Sequence, residues 1–170
     1  FTEGMIERAR NNAEKRGYHN VEFRQGDIEK IPISANIADV VVSNCVMNLV
    51  PDKPKAFSEV YRILKAGGHF SISDIVLTGE LPERIKNAAE MYAGCVASAI
   101  LKDDYLQIIK DAGFKNLTLQ KEKAIIIPND ILKNYLTEEE TEVYNSNKNI
   151  IYSITVYGEK QASCCEPNCC

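Results

Sequence analysis

Six cysteines are the residues of this 170-residue chain whose types and placement could do chemistry. Cys45 and Cys95 stand alone in the interior, whereas Cys164, Cys165, Cys169 and Cys170 crowd the last seven positions. Thiolates are soft ligands, so the terminal cluster points to a soft metal or metalloid. Adjacent cysteines are awkward for one tetrahedral site, which favours a loose thiol cluster over a zinc centre. A relay of thiophilic ions and disulfides formed on purification are the other readings of that cluster. Alone, Cys45 or Cys95 would be a small buried hydrophobe. His19, in a turn, and His69, entering a strand, have no partners in the sequence that suggest a triad or metal site, and both read as structural.

With 45% hydrophobic and 26% charged residues the composition is that of one soluble globular domain. Twenty basic and 24 acidic residues, mixed along the chain, form no basic stripe, so nucleic acid is not an expected partner. No window reaches the length of apolar residues that a membrane helix requires, so no membrane partner is expected either. No charged-then-apolar leader precedes the first helix, and the expectation is reduced thiols in a cytoplasmic protein. The chain opens on Phe1 rather than Met, in residues that read as the end of a loop entering a helix. The expectation is that the true N-terminus is missing.

The elements that must position the cysteines follow from periodicity. Met5, Ile6, Ala9 and Ala13 recur at helical spacing between Thr2, a candidate N-cap, and Gly17, a stop. Val21 to Arg24 reads as a short strand, 26–32 as a loop, and Ala38 to Ser43 as an apolar strand buried on both faces of a parallel sheet. A helix is expected over about 53–64, stopped by Lys65-Ala66-Gly67-Gly68, then a strand over 69–75. Helices over 82–99 and 102–111, strands near 117–121 and over 150–157, and a flexible tail from Gln161 complete the pattern. Strand and helix alternate as in a doubly wound α/β sheet. One domain over 1–160 plus a Cys-rich tail over 161–170 is expected.

In such a sheet ligands bind beyond the carboxyl ends of the strands, which draws attention to Gly26-Asp27-Ile28-Glu29, Ser43-Asn44-Cys45-Val46-Met47-Asn48-Leu49 and Ser73-Asp74. Together these resemble a class I S-adenosylmethionine methyltransferase with a Rossmann-like fold. The run from Ser43 to Lys53, with Tyr61-Arg62-Ile63-Leu64-Lys65, Gly67-Gly68 and Ser73-Asp74, resembles the arsenite methyltransferase subfamily more narrowly. Gly94-Cys95, 50 residues after Cys45, and the cysteine-rich end are similar to further features of that subfamily. The resemblance covers roughly Phe1 to Phe114 and the tail.

The resemblance implies transfer of a methyl group from S-adenosylmethionine to trivalent arsenic, presented as arsenite or a glutathione conjugate, for arsenic detoxification. It implies Cys45 and Cys95 as arsenic ligands, with Cys164, Cys165, Cys169 and Cys170 as further candidates. For the cofactor it implies Asp27 and Ile28 at the adenine, Asn44 near the methionine end, and Phe1 near the ribose and adenine. Against these stand ordinary roles: Asp27 capping its own loop, with Glu29 as a rival for the adenine role, and Asn44 capping the following helix. The family's glycine-rich loop, first two strands and N-terminal cysteine are absent from the sequence, so the sheet is expected to be split and this chain to bind S-adenosylmethionine weakly or not at all. Two alternatives remain: a methyltransferase of a small metabolite, and a thiol-based metalloid-binding protein. Close approach of Cys45 and Cys95 discriminates the first of these. The oligomeric state is left open.

Overall fold

The computed structural model describes residues 2–81, 83–84, 86, 95–96, 98–146 and 150–162. Helix α1 spans Glu3–Lys15, with Thr2 at its N-cap position and Gly17 beyond its end in the left-handed region. Strand β1 (Ala38–Asn44) leads through a 3-10 turn (Met47–Leu49) into α2 (Lys53–Ile63), and α2 runs without a loop into β2 (Leu64–Leu77). Helix α3 (Lys102–Asp111) and strand β3 (Lys115–Ala124) follow. The short α4 (Asn129–Leu132), α5 (Glu138–Ser146) and β4 (Ile151–Glu159) complete the described elements.

The sheet has the order β1-β2-β4-β3. β1 lies parallel to β2, whereas β4 pairs antiparallel with both β2 and β3. This is the α/β class expected from the sequence, with its last strand reversed. A parallel pair needs a crossover, and α2 supplies it, burying Ala56, Phe57, Val60 and Ile63 from one face. β2 is the centre of the molecule and is covered on both sides. Phe70, Ile72, Asp74 and Val76 alternate onto one face, where the apolar members join Phe57, Tyr105, Ile109 and Phe114 in the main core. Ile75 faces the other way, into a second cluster with Val96, Ile127, Leu132, Tyr144 and Ile151.

Five expectations change. The described sheet is not split, because β1-β2-β4-β3 is continuous. Residues 21–24 are not a strand, because among the described residues no strand lies beside them to pair with. β1 is not buried on both faces: Val40 and Val42, which share one face, are 47% and 75% exposed, because none of the described residues covers that face. Gly67 and Gly68 do not separate helix from strand but lie within β2, at an irregularity where the register jumps from Ala38↔Leu64 to Val40↔His69. There Gly67 takes φ +82°, and a Cβ on Gly68 would come within 2.9 Å of the Asp39 carbonyl oxygen, so both positions demand glycine. Of the helix expected over 82–99, most lies outside the described residues. Its end is not helical, because Cys95 and Val96 sit in a turn closed by the Ala99 N–H on the Val96 carbonyl.

Gly158 of β4 sits opposite Phe70, where an added Cβ would meet the Phe70 ring and Leu117 at 2.6 Å. Gly158→Ala should therefore overpack the main core and cost about 1–3 kcal/mol in urea unfolding. Unchanged stability would show that Phe70 repacks freely.

Candidate functional site

β1 ends by delivering Cys45 in the left-handed region, φ +53°, an unfavourable backbone conformation for a residue with a Cβ. The Cys45 N–H donates to the Ser73 carbonyl at 2.8 Å, which ties this bend to the neighbouring strand. The 3-10 turn that follows buries Met47 and Asn48 completely. At its far end the side chain of Asp52 accepts from the Lys55 N–H and caps α2.

Beneath this loop lies a polar cluster in an apolar setting. Asp74 is 1% exposed, and its Oδ2 accepts the Tyr105 hydroxyl at 2.6 Å. Its Oδ1 has no partner at good geometry, although the Asn48 backbone N–H is near enough to help hold the charge. Burial raises the Asp74 carboxyl above the usual range, with the Tyr105 hydrogen bond opposing most. The Lys53 ammonium is almost as buried, donating to the carbonyls of Asn48 at 3.0 Å and Val50 at 3.1 Å. Burial lowers its pKa, and the nearby Asp74 charge works the other way. Tyr105, buried beside that carboxylate, is held well above the ordinary phenol range and stays protonated.

The structure brings Cys45 and Cys95 together: both are free thiols, half-buried, and near enough for Cys95 to perturb the Cys45 thiol. Burial raises the Cys45 thiol first of all, then the proximity of Cys95 and the charge of Asp74. At neutral pH Cys45 is therefore a thiol rather than a thiolate in the free protein. The Asn48 side chain joins the two cysteine segments, donating from Nδ2 to the Cys95 carbonyl at 3.2 Å. No group of three or more His, Cys, Asp or Glu side chains able to hold a metal ion occurs among the described residues.

Asp27 and Ile28 line a second feature, a cavity of about 350 Å³ walled also by Glu29, Val46, Leu49, Val50 and Pro51. Asp27 does cap its own loop, Oδ1 accepting the Glu29 N–H at 2.8 Å. Glu29 is engaged elsewhere, accepting the Asp52 N–H at 3.2 Å and lying 3.5 Å from the Lys55 ammonium. Asn44 is exposed at the end of β1, paired in register with Ser73, and is not among the cavity's lining residues. It caps no helix, since Val46 and Asp52 occupy the N-cap positions that follow. Phe1 and Cys164, Cys165, Cys169 and Cys170 lie outside the described residues. The ring of His69 lies 5.2 Å from that of Tyr157, in keeping with a structural role. Sequence reasoning did not single out Asn48, Lys53 or Tyr105. A lysine at the first position of an amphipathic helix and a tyrosine on its neighbour's apolar face carry no chemical signature until they meet Asp74.

Residues 1–113 match a family model described as a methyltransferase domain. An arsenite methyltransferase of Halobacterium salinarum is 41% identical over 115 residues, covering 68% of this chain and 29% of that protein. One of Mus musculus is 37% identical over 145 residues, covering 80% and 39%. The crystal structure of an arsenic(III) S-adenosylmethionine methyltransferase from Chlamydomonas reinhardtii is similar with a TM-score of 0.74 at 28% identity, over 98% of this chain and 55% of that one. The chain thus spans about a third of the length of these curated relatives.

Because burial raises Asp74, its neutral form suits the folded state; the stability it contributes is full at acid pH and lost as pH rises through its folded pKa. The Tyr105 hydroxyl limits that loss by holding the charged form. Tyr105→Phe should cost about 1–3 kcal/mol in urea unfolding, with the larger loss at pH 8 and the smaller at pH 4. An equal loss at both values would mean that Asp74 does not ionise in the fold.

Proposed function

The chain belongs to the methyltransferase-domain family and, within it, to the arsenite methyltransferases, and from that premise we propose that it holds trivalent arsenic on Cys45 and Cys95 for methylation by S-adenosylmethionine. The observation that carries the reading is the proximity of these two thiols, which lie 50 residues apart in sequence. A pair of thiols at that spacing grips a soft, thiophilic centre by two bonds at once. Arsenite is As(OH)₃ at neutral pH. Each thiol that replaces a hydroxide forms one As–S bond, breaks one As–O bond and releases one water carrying the thiol proton. The raised Cys45 thiol therefore needs no separate base, because the substrate brings its own proton acceptor. The third ligand is the remaining hydroxide or an added thiol such as glutathione, with the terminal cysteines as further candidates.

The chemistry of the Asp27 cavity fits the adenine end of the cofactor. Its walls are apolar at Ile28, Val46, Leu49, Val50 and Pro51, as a flat heterocycle requires, and Oδ2 of Asp27 is left to accept from an exocyclic amino group. Asp27 and Ile28 would hold the adenine, with Asn44 toward the methionine end. When bound, S-adenosylmethionine supplies a methyl group on a sulfonium sulfur, an electrophile for the arsenic lone pair. The protein's part is then placement: two thiols fixing the acceptor. Arsenic detoxification in the cytoplasm is the role proposed for this activity. No helix among the described residues is long and apolar enough to cross a membrane.

Arsenite binding followed by mass shift, under competition with a small dithiol, tests the pair. Cys45→Ser and Cys95→Ser, each in a chain whose four terminal cysteines are serine, should both lose the arsenic that the parent retains. Retention by either variant would return the interior cysteines to the role of packing. A calorimetric titration tests the cofactor reading. Among the described residues the cavity accounts for one end of the ligand only, so the 170-residue chain should bind S-adenosylmethionine no tighter than about 100 μM. A low-micromolar isotherm would overturn that expectation.

A further inference from the structure

We infer that Asn48 is a positioning residue whose side-chain amide sets the separation of the Cys45 and Cys95 thiols. This rests on the reading of those thiols as the arsenic site. The carboxamide is 0% exposed, yet only half of it is used: Nδ2 donates to the Cys95 carbonyl at 3.2 Å, while Oδ1 is buried with no partner. An amide buried with an orphaned oxygen is a poor device for stability, and an apolar side chain of the same shape would serve the core at least as well. What the amide alone provides is a tie between two segments 47 residues apart.

The tie is anchored firmly at one end. The Asn48 carbonyl accepts from the buried Lys53 ammonium, its N–H faces Asp74, and the Cys45 N–H is bound to Ser73. Cys45 and Asn48 therefore move as one short unit fixed to the sheet. Cys95 belongs to a turn joined to the sheet further on, where the Leu77 N–H donates to the Ile100 carbonyl. Among the described residues no backbone–backbone hydrogen bond joins the Cys45 segment to the Cys95 segment, so the Asn48 side chain is the tie between them. A two-point grip depends on the local concentration of the second thiol at the first, so slack in this tie weakens chelation while leaving each thiol intact.

The test uses the full chain with its four terminal cysteines changed to serine, reduced and kept free of oxygen. Phenylarsine oxide, which needs two thiols, is compared with p-hydroxymercuribenzoate, which needs one. Asn48→Leu should bind phenylarsine oxide on the order of tenfold more weakly, with mercurial affinity and melting temperature held. Asn48→Ala, which leaves space rather than a new shape, is read in the same way should leucine disturb the core. Unchanged phenylarsine oxide affinity in both variants overturns the inference and leaves the cysteine pair standing. A loss that follows the melting temperature in both variants also overturns it, by making Asn48 a packing residue. Wild-type phenylarsine oxide affinity in Cys45→Ser or Cys95→Ser would instead overturn the arsenic-site reading itself.

Discussion

A carboxylate and an ammonium withdrawn from water beside one short loop constrain everything around them. An isolated buried charge costs several kcal/mol, so Asp74 and Lys53 persist only while their partners stay in place. Asp74 relies on the Tyr105 hydroxyl and Lys53 on the carbonyls of Asn48 and Val50. The two charges and their partners come from β2, α2, α3 and the 3-10 turn, so displacing any of the four elements strips a charge. The connection from Cys45 to Asp52 is thereby tied to β2 and α2. This is how a loop comes to hold Cys45 in a left-handed conformation that its own residue type disfavours.

The same packing explains which parts of the fold were legible beforehand. The apolar repeat of α2, the long apolar β2 and the closing strand announce themselves because their burial follows a period. β1 misleads, because a valine run reports what a strand can bury and not what covers it. Val42 shows the difference, being 75% exposed at the edge of the described sheet. Gly67 and Gly68 mislead in another way: a glycine pair after a helix usually stops it, yet here it admits the Asp39 carbonyl into a kinked strand. Residues 21–24 have a strand's composition, but strand pairing is a property of neighbours.

The candidate site was legible only in part, and for a comparable reason. Cys45, Cys95, Asp27 and Ile28 could be named from motif and resemblance, since their residue types carry the chemistry. Asn48, Lys53 and Tyr105 could not, because each acts through a contact with a residue distant in sequence. Tyr105 lies 31 positions from Asp74 and reads as one more core aromatic on an amphipathic helix. Cys95 was placed on a helix by its setting, whereas the turn that carries it leaves its carbonyl for Asn48. Helical periodicity does not register a tertiary hydrogen bond that competes for the backbone.

The electrostatic setting also bears on which thiophile the pair would select. Burial, Cys95 and Asp74 all favour a protonated Cys45, so any ligand must remove that proton at a cost. A bare divalent cation leaves two protons to be released into solvent, and it finds no third or fourth protein ligand among the described residues. Arsenic(III) hydroxide carries each proton away as water and makes neutral As–S bonds, which burial penalises far less than it does a charge. It also needs only three ligands and keeps a lone pair. Proton balance and coordination number together would therefore let this pair of thiols select arsenic, with no need for a cavity shaped to arsenic itself.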